Sequence, residues 1–325
     1  MSMISVIITV FEQTDSLIPL LYCLGNQTIK SPFEIIICDD GSSEEALRQI
    51  SGDRQLSQLD IRYVWQSKNG YRAARSKNNG IRCAKGDLLV FLDGDILVRP
   101  DFLEKHLDAH QSPGQIVCNP RKWIIGEMVQ NTQFKTSSRF LHELRSLAKE
   151  SPDMLFSVLE TLSIDIDACE QFDWSQSDSP WMSCVGFSLS LDKSNAVIFD
   201  ENFEGWSPED REFALRLSLK HGYTVLFRED IEVYHLDICS TGRIPGQCLP
   251  NSHLQIVPLL KNMLYVRDRY PHENLTDLLS LVMAYKLDPG GDNWILDANV
   301  TEKASEAELQ NHLGMIETWL NHYPV

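Results

Sequence analysis

The sequence predicts an α/β fold in which helices flank a mostly parallel sheet. Over the first hundred residues, apolar segments of strand length alternate with segments of helical spacing: "ISVIITVF" precedes "DSLIPLLYCLGNQ", and "FEIIICDD" precedes "GSSEEALRQI". "IRYVWQ", the helical "AARSKNNGIRCAKG" and "DLLVFLD" continue the series. Such alternation is typical of parallel strands joined by helical crossovers. The unbroken apolar run "LLVFL" indicates a strand that is buried on both faces.

The second half of the chain changes character. Residues 131–180 are polar and contain helical segments, whereas "CVGFSLSL" and "TVLF" indicate strands on either side of the helix "SPEDREFALRLSLKHG". Beyond about residue 250 the pattern is mainly helical, with "NLTDLLSLVMAYKL" and "EAELQNHLGMIETWL" as clear segments. We therefore expect three parts, residues 1–125, 126–245 and 246–325, of which the last is a helical extension.

Composition narrows the classes of protein. The 325 residues carry a formal charge of −17, which argues against a general nucleic-acid binder because such proteins need a positive surface. A phosphate-bearing ligand would need local positive charge from a metal or from clustered Arg and Lys. The eight cysteines are scattered without a Cys-x-x-Cys pair, which favours reduced thiols over a zinc site or a disulfide framework.

The amino-terminal segment "MSMISVIITVF" is too short for a transmembrane span and lacks the basic start of a signal peptide. It has the pattern of a first strand. We expect a cytoplasmic protein, with a peripheral membrane location as the alternative.

An acidic pair, Asp93 and Asp95, interrupts the apolar run "LLVFLDGDILV". Asp-Gly between hydrophobic segments is also a hairpin signal, so a simple turn is the competing interpretation. A solvent-facing hairpin alternates polar and apolar residues, whereas residues 88–92 are continuously apolar, which favours a central strand that ends at the pair. Two carboxylates at such a strand end are suitable ligands for Mg²⁺ or Mn²⁺.

Two further clusters lie near predicted strand ends. "CDDGS", with Asp39 and Asp40, is either a turn into a helix or a place where a carboxylate accepts the imide N–H of uracil. Arg72, Arg75 and Lys77 concentrate positive charge ahead of the acidic pair. A solvated basic face is the alternative, but in a chain this acidic the local excess favours phosphate contacts.

A fourth cluster is "FEGWSPEDREFALRL". Ser207 and Asp210 fit a capping box at a helix start, which accounts for one carboxylate but not for Glu209 or Trp206. An aromatic ring beside an acidic pair suits a sugar site, where one side chain stacks and another takes a hydroxyl proton. His235, in "VYHLD", is either structural or a further metal ligand.

Taken together and in this order, these segments resemble the family 2 glycosyltransferases of GT-A fold, whose sheet is Rossmann-like. The resemblance covers most of residues 1–240, through "ISVIITVFEQ", "FEIIICDDGS", "AARSKNNGIRCAKGDLLVFLDGD" and "GWSPEDREFALRL". The last motif, with "VYHLD", is similar to the galactosyltransferase-type carboxyl half of chondroitin-polymerase-like enzymes. The resemblance implies that residues 1–125 bind the nucleotide-sugar and that residues 126–245 contribute the acceptor side of the same domain.

The resemblance also implies roles for individual residues. Nucleotide contacts are expected from Thr9, Phe11, Asp39, Asp40, Arg72, Arg75 and Asp93. Metal ligands are expected at Asp95, Asp93 and His235, sugar contacts at Trp206, Gly186 and Trp181, and catalysis at Asp210 and Glu209. Phe11 stands where Tyr is more usual, and the pattern around Gly186 departs from that of the family.

The implied reaction is metal-dependent inverting transfer of a hexose or N-acetylhexosamine from a UDP-sugar. Asp210 would be the base and Mn²⁺ or Mg²⁺ the cofactor, and the acceptor would be a glycan, a lipid-linked glycan, a peptide or a small molecule. One alternative is a sugar-1-phosphate nucleotidyltransferase, although "TVFEQTDS" lacks the glycine-rich loop of that class. Another is a non-catalytic sugar- or protein-binding module derived from a transferase.

Overall fold

A computed structural model describes residues 3–43, 45–110, 112, 114–165, 198–206, 208–237, 252–297 and 305–322. The amino-terminal third alternates strands and helices as the sequence predicts. Its elements are β1 (Ile4–Val10), α1 (Thr14–Gly25), β2 (Phe33–Asp39), α2 (Glu45–Gly52), β3 (Ile61–Trp65), α3 (Ala73–Cys83), β4 (Leu88–Asp93), β5 (Ile96–Val98) and α4 (Phe102–Ala109).

The remaining described elements lie between residues 115 and 322. They are β6 (Gln115–Cys118), β7 (Arg121–Ile125), α5 (Gly126–Gln130), α6 (Ser137–Glu150), α7 (Pro152–Leu162), β8 (Ile164–Asp165), α8 (Glu209–His221), β9 (Thr224–Phe227), β10 (Val233–Asp237), α9 (His253–Arg269), α10 (Thr276–Leu279), β11 (Tyr285–Leu287), β12 (Trp294–Leu296) and α11 (Glu306–His322).

The central sheet has the strand order β3-β2-β1-β4, and all its neighbouring strands pair in parallel. Helices cover both of its faces, so successive side chains of one strand enter different cores. In β1, for example, Ile7 belongs to one hydrophobic cluster, whereas Val6 and Ile8 belong to the other. This two-sided burial explains why the strands are apolar without alternation, and it confirms the predicted α/β class.

A second sheet begins where β4 ends. Its order is β5-β10-β7-β8, with β5 antiparallel and β7 parallel to β10. Because β4 pairs with β1 and β5 pairs with β10, residues 94 and 95 carry the chain from one sheet to the other. The Asp-Gly pair is therefore not the tip of a hairpin between β4 and β5.

The carboxyl-terminal part packs its helices onto the same core as the central sheet. Apolar residues of α8, α9 and α11 share one hydrophobic cluster with residues of β1, β2 and β4. The prediction of one helix across residues 274–287 was wrong in part: the segment forms the short α10, a 3₁₀ turn and β11. The strand forms because β11 pairs with β12 across a turn that the Asp288 carboxylate stabilises by accepting the backbone N–H groups of Asp292 and Asn293.

No helix within the described ranges combines the length and the apolar composition that crossing a membrane requires.

Candidate functional site

The carboxyl ends of β1, β2 and β4 lie side by side and gather the predicted polar residues at one edge of the sheet. Thr9 pairs in register with Cys38 on one side and with Asp93 on the other. The Thr9 hydroxyl is buried without a hydrogen-bond partner in the described part of the protein. Parallel strands bring such ends together, and ligands of open α/β sheets bind there.

Asp40 is a buried carboxylate that the surrounding chain holds in one orientation. Its Oδ2 accepts the backbone N–H of Arg72 at 2.8 Å, and its Oδ1 accepts the Gln66 side-chain N–H at 2.6 Å. The Gln66 amide is fixed in turn by Asn79, whose Nδ2 donates to Gln66 Oε1 at 2.9 Å. Each carboxylate oxygen has a second lone pair, so Asp40 retains the capacity to accept a further donor from a nucleotide base.

Asp39 stabilises the turn beside Asp40. Its Oδ1 accepts the backbone N–H groups of Gly41 and Ser42 at 3.0 Å and 2.7 Å, and its Oδ2 accepts the Tyr63 hydroxyl. Gly41 has φ +97°, a backbone conformation that favours glycine. Through these hydrogen bonds Asp39 stabilises the turn that follows β2.

The predicted aromatic and basic nucleotide contacts surround this turn. Phe11 is 39% exposed, and the Lys68 ammonium lies 3.3 Å from the centroid of its ring. The Arg72 guanidinium donates to the Ser67 carbonyl and lies 3.9 Å from Asp40 Oδ1 through its Nε. Lys68 Nζ is 3.7 Å from Asp40 Oδ2. Positive charge is therefore concentrated where an acidic chain would need it to receive a nucleotide.

Helix α3 separates two of the predicted cations. Arg75 is exposed, and its Nε lies 4.0 Å from Glu201, on the outer side of the helix. Lys77 is only 2% exposed, and its Nζ donates to Glu209 Oε1 at 3.0 Å. Burial alone would lower the pKa of Lys77, but the negative charges of Glu209, Asp93 and Asp210 raise it to about 12. Lys77, rather than Arg75, lies among the acidic residues.

Asp95 and His235 meet at the junction of the two sheets. His235 Nε2 is 3.4 Å from Asp95 Oδ2, which also accepts the Gln13 side-chain N–H at 2.9 Å. Burial would raise the pKa of Asp95, but the charge and hydrogen bond of His235 lower it overall. The intervening Gly94 is needed for packing, since a Cβ there would lie 2.7 Å from a methyl carbon of Val10.

The carboxylate chemistry of this junction suits a hard divalent cation, but the protein supplies few ligands. Asp95 Oδ1 and His235 Nδ1 are buried without hydrogen-bond partners in the described residues. Across the described part of the chain, no group of three or more His, Cys, Asp or Glu side chains is placed so that it could hold a metal ion. Burial raises the pKa of Asp93, and the nearby charges of Asp95 and Glu209 raise it further against the opposing effect of Lys77. A cation here would relieve this repulsion and would need oxygen ligands from a substrate.

The first turn of α8 places two neighbouring carboxylates beside these acids. Glu209 is buried against Lys77, whereas Asp210 is partly open to solvent and accepts the backbone N–H of Arg211 on Oδ1 at 2.8 Å. Burial and the charge of Glu209 raise the pKa of Asp210 to about 6, despite the opposing charge of Lys77. A carboxylate with a pKa in this range is well suited to general-base catalysis near neutral pH.

Tyr71 lies among the same acids and was not anticipated from the sequence. Burial of its hydroxyl raises its pKa well above the usual value, and the charges of Glu209, Asp93, Asp210 and Asp95 raise it further. The residue as a whole is 42% exposed, so Tyr71 borders both the acids and solvent. Its backbone carbonyl accepts the N–H of Gly205 at 3.0 Å, which connects it to the loop that precedes α8.

The family match comes from the first half of the chain. A model described as glycosyl transferase family 2 matches residues 5–161, which include the acidic pair and both neighbouring strand ends. The chain belongs to glycosyl transferase family 2. This family membership confirms the predicted resemblance.

Curated members of the family extend the similarity into the second half. The hyaluronan synthase of Pasteurella multocida is 31% identical over 243 residues, which are 71% of this chain and 24% of that protein. The chondroitin synthase of Pasteurella multocida (strain Pm70) is 32% identical over 229 residues, which are 67% of this chain and 23% of that protein. This chain therefore spans about a quarter of the length of these two relatives.

Among solved structures, Staphylococcus aureus TarS (residues 1–349) in complex with UDP-GlcNAc superimposes with a TM-score of 0.51. The identity is 15%, and the superposition covers 98% of this chain and 73% of that one. At this identity the likeness bears on the fold alone, and it agrees with the GT-A architecture expected of a family 2 glycosyltransferase.

The structure brings most of the predicted site residues of this family 2 chain to one edge. Trp206 is partly buried and packs against the core cluster that contains α8. Trp181, Gly186 and the predicted cap Ser207 lie outside the described residues. A signal for Lys77 was present in the sequence: Ala74, Lys77 and Ile81 recur at helical spacing, which places them on the face of α3 that packs on the sheet.

Proposed function

We propose that the protein is a metal-dependent inverting glycosyltransferase that moves a hexose or N-acetylhexosamine from a UDP-sugar to an acceptor hydroxyl. The observation that carries the proposal is the clustering of Asp93, Asp95, Glu209 and Asp210 around Lys77 and Tyr71 at the sheet edge of a family 2 chain. The TarS complex with UDP-GlcNAc supports a UDP-sugar as the class of donor.

In this proposal, the nucleotide occupies the edge formed by β1 and β2. Asp40 accepts the imide N–H of uracil, and the Phe11 ring offers an apolar surface to the base. Lys68 and Arg72 add positive charge on the same side. Thr9 contributes a free hydroxyl at the strand end, where the pyrophosphate would turn towards Asp93.

Asp95 and His235, with Asp93 beside them, are the side chains that would hold Mn²⁺ or Mg²⁺. The cation would supply Lewis-acid stabilisation of the departing diphosphate. The protein side chains around it orient that group: Gln13 fixes the Asp95 carboxylate, and the Trp123 ring packs edge-on against His235 at 4.2 Å between centroids.

Transfer itself is assigned to Asp210. Its carboxylate takes the proton of an acceptor hydroxyl, the hydroxyl oxygen forms a bond to the anomeric carbon, and the bond from that carbon to UDP breaks. Attack from the face opposite the leaving group inverts the configuration. Ordering of both reactants at the sheet edge supplies much of the rate enhancement. Trp206 and, outside the described residues, Trp181 and Gly186 are the proposed sugar contacts.

The proposal is tested by a hydrolysis and transfer screen across UDP-sugars with Mn²⁺, comparing the wild type with Asp210→Asn. We expect UDP release from at least one donor, a fall of about 100-fold or more in the variant, and nearly unchanged UDP affinity by calorimetry, because only the base is lost. A variant with wild-type turnover would remove Asp210 from catalysis. A wild type that neither turns over nor binds UDP would favour a non-catalytic binding module.

A further inference from the structure

Lys77 carries a buried charge at the centre of the acidic site. Its side chain is 3% exposed, and its ammonium donates to Glu209 Oε1 at 3.0 Å. The ammonium also lies 5.3 Å from the centroid of the Phe199 ring, which itself stacks on Phe213 of α8 at 4.0 Å. A buried cation of this kind is stable only when its partner is fixed, because removal of one partner leaves an uncompensated charge.

The position of this cation is set by a rigid element. Helix α3 lies so close to the central sheet that a Cβ on Gly80 would approach both Cys38 Sγ and an Ile7 methyl carbon to 2.6 Å. Ser76 and Asn78, on either side of Lys77, are also anchored: Ser76 donates to the Cys38 carbonyl, and Asn78 donates to the Phe199 carbonyl. The Lys77 ammonium is therefore held by the fold and independently of the substrate.

The partner of Lys77 is the residue next to the proposed base. Glu209 and Asp210 are consecutive in the first turn of α8, so their carboxylates leave the helix in different directions. One Glu209 oxygen is held by Lys77. In the described part of the chain, by contrast, Asp210 Oδ2 receives no hydrogen bond. The ion pair thus gives the two carboxylates different tasks.

We propose that Lys77 is a positioning residue of the proposed transferase: by pairing with Glu209 it anchors the start of α8 and keeps Asp210 free and ionised to act as the base. The inference rests on the proposed function and adds to it a residue that acts through Glu209. Lys77 does not need to touch the substrate to do this.

The charges that face Asp210 explain the expected pH dependence. Glu209 opposes ionisation of Asp210, whereas Lys77 and Arg211 favour it, and the Tyr71 hydroxyl lies nearby. Without the Lys77 charge, Glu209 would act on Asp210 unopposed, so Asp210 would keep its proton to a higher pH. Activity that requires the ionised base would then be lost at higher pH than in the wild type.

The test uses the rate of UDP release from the UDP-sugar that the screen selects, with Mg²⁺, between pH 5 and 8.5. In the wild type we expect the rate to fall below about pH 6, following the raised pKa of Asp210. Lys77→Met should move this fall to higher pH and reduce the rate at pH 6 about tenfold. Lys77→Arg should stay near the wild type. The exposed Lys30→Met is the matched control and should not change the profile.

Two charge-neutralising variants separate this role from general damage. Lys77→Met/Glu209→Gln removes both charges and should return the fall in rate towards the wild-type pH, which a disrupted fold would not do. Glu209→Gln alone, with Lys77 intact, should move the fall in rate to lower pH. This variant can be measured even if Lys77→Met fails to fold. An unchanged profile in Glu209→Gln overturns the inference. So does a Lys77→Met variant whose defect is a tenfold weaker affinity for UDP with an unshifted profile, which indicates direct phosphate binding.

The outcome is distinguishable from failure of the proposed function. If Asp210→Asn retains turnover, the base assignment fails whatever the Lys77 variants do. If Asp210→Asn is inactive and the Lys77 profiles do not shift, the base assignment stands and the positioning role of Lys77 is rejected.

Discussion

Asp95 and His235 offer oxygen and nitrogen ligands of the right chemistry for a divalent cation, but they are too few to enclose one. A divalent cation prefers at least six ligands when bound by oxygen, and the described side chains leave most of those positions to water or substrate. Mn²⁺ and the diphosphate of the donor are therefore expected to complete one another's sites at this edge.

This incomplete ligand set predicts coupled binding. The affinity of the protein for UDP should rise about tenfold or more when Mn²⁺ is present, and by thermodynamic reciprocity UDP should raise the affinity for Mn²⁺ by the same factor. Calorimetry in both orders of addition measures both factors. Asp95→Asn should abolish the coupling, whereas the exposed Asp87→Asn should preserve it. Equal UDP affinity with and without Mn²⁺ would contradict a shared site.

The local sequence predicts the position of some site residues but not of others. Asp93 and Asp95 were placed correctly at a strand end because the run before them is apolar on both faces. The nucleotide contact expected of Arg75 stays a prediction: in the structure Arg75 faces solvent, whereas Lys77 of the same helix is buried. The spacing of apolar residues in α3 already indicates that Lys77 is on the buried face. The partner of Lys77 lies 132 residues away, and no local pattern indicates it.

At the scale of elements, the loop that precedes α8 is fixed from two directions. Gly205 donates its N–H to the Tyr71 carbonyl, and Asn262 of α9 donates to the Glu204 carbonyl at 2.9 Å. Gly205 has φ +84°, and a Cβ there would lie 2.3 Å from Cβ of Pro258 in α9. Helix α9 thus helps to fix the position of the start of α8, which carries the proposed base.

This contact predicts a specific loss of stability. Gly205→Ala should lower the free energy of unfolding by the cost of the left-handed backbone and of the clash with Pro258 together. Gly222→Ala is the matched control, because Gly222 has φ +69° but no atom within 4 Å of an added Cβ. We expect Gly205→Ala to be less stable than the control by roughly 1–3 kcal/mol in urea unfolding. Equal losses would show that α9 can yield at this contact.

Elements differ in how well local patterns predicted them. The helices α6, α7, α8 and α11 and the strands β1 to β4 were predicted because their apolar spacing matches their burial. The short hairpin of β11 and β12 was missed because residues 274–287 have an apolar spacing that also fits a helix. Residues 285–287 form a strand because they pair with residues 294–296, and local composition does not indicate such pairing.

At the scale of the whole molecule, the boundaries predicted at residues 125 and 245 remain a prediction, but the hydrophobic core crosses both of them. Phe91 of β4, Leu215 of α8 and Leu313 of α11 belong to one cluster of buried residues. The acidic site lies on this shared core, since the Lys77 side chain contacts Phe199 and Phe199 packs on Phe91. The spacing of apolar residues in the sequence does not indicate which distant segments pack together.

The shared core predicts that the carboxyl-terminal helix stabilises the proposed active site. Leu313 of α11 is fully buried, so Leu313→Ala should cost about 2–5 kcal/mol through the cavity it leaves. If the core unfolds as one unit, UDP binding and helical circular dichroism should be lost at the same lowered temperature. Met315→Ala changes a side chain that is 40% exposed on the same helix and should leave that temperature nearly unchanged. A variant in which the helical signal falls in two steps, with UDP binding lost only in the second, would show instead that residues 246–325 form an independent unit.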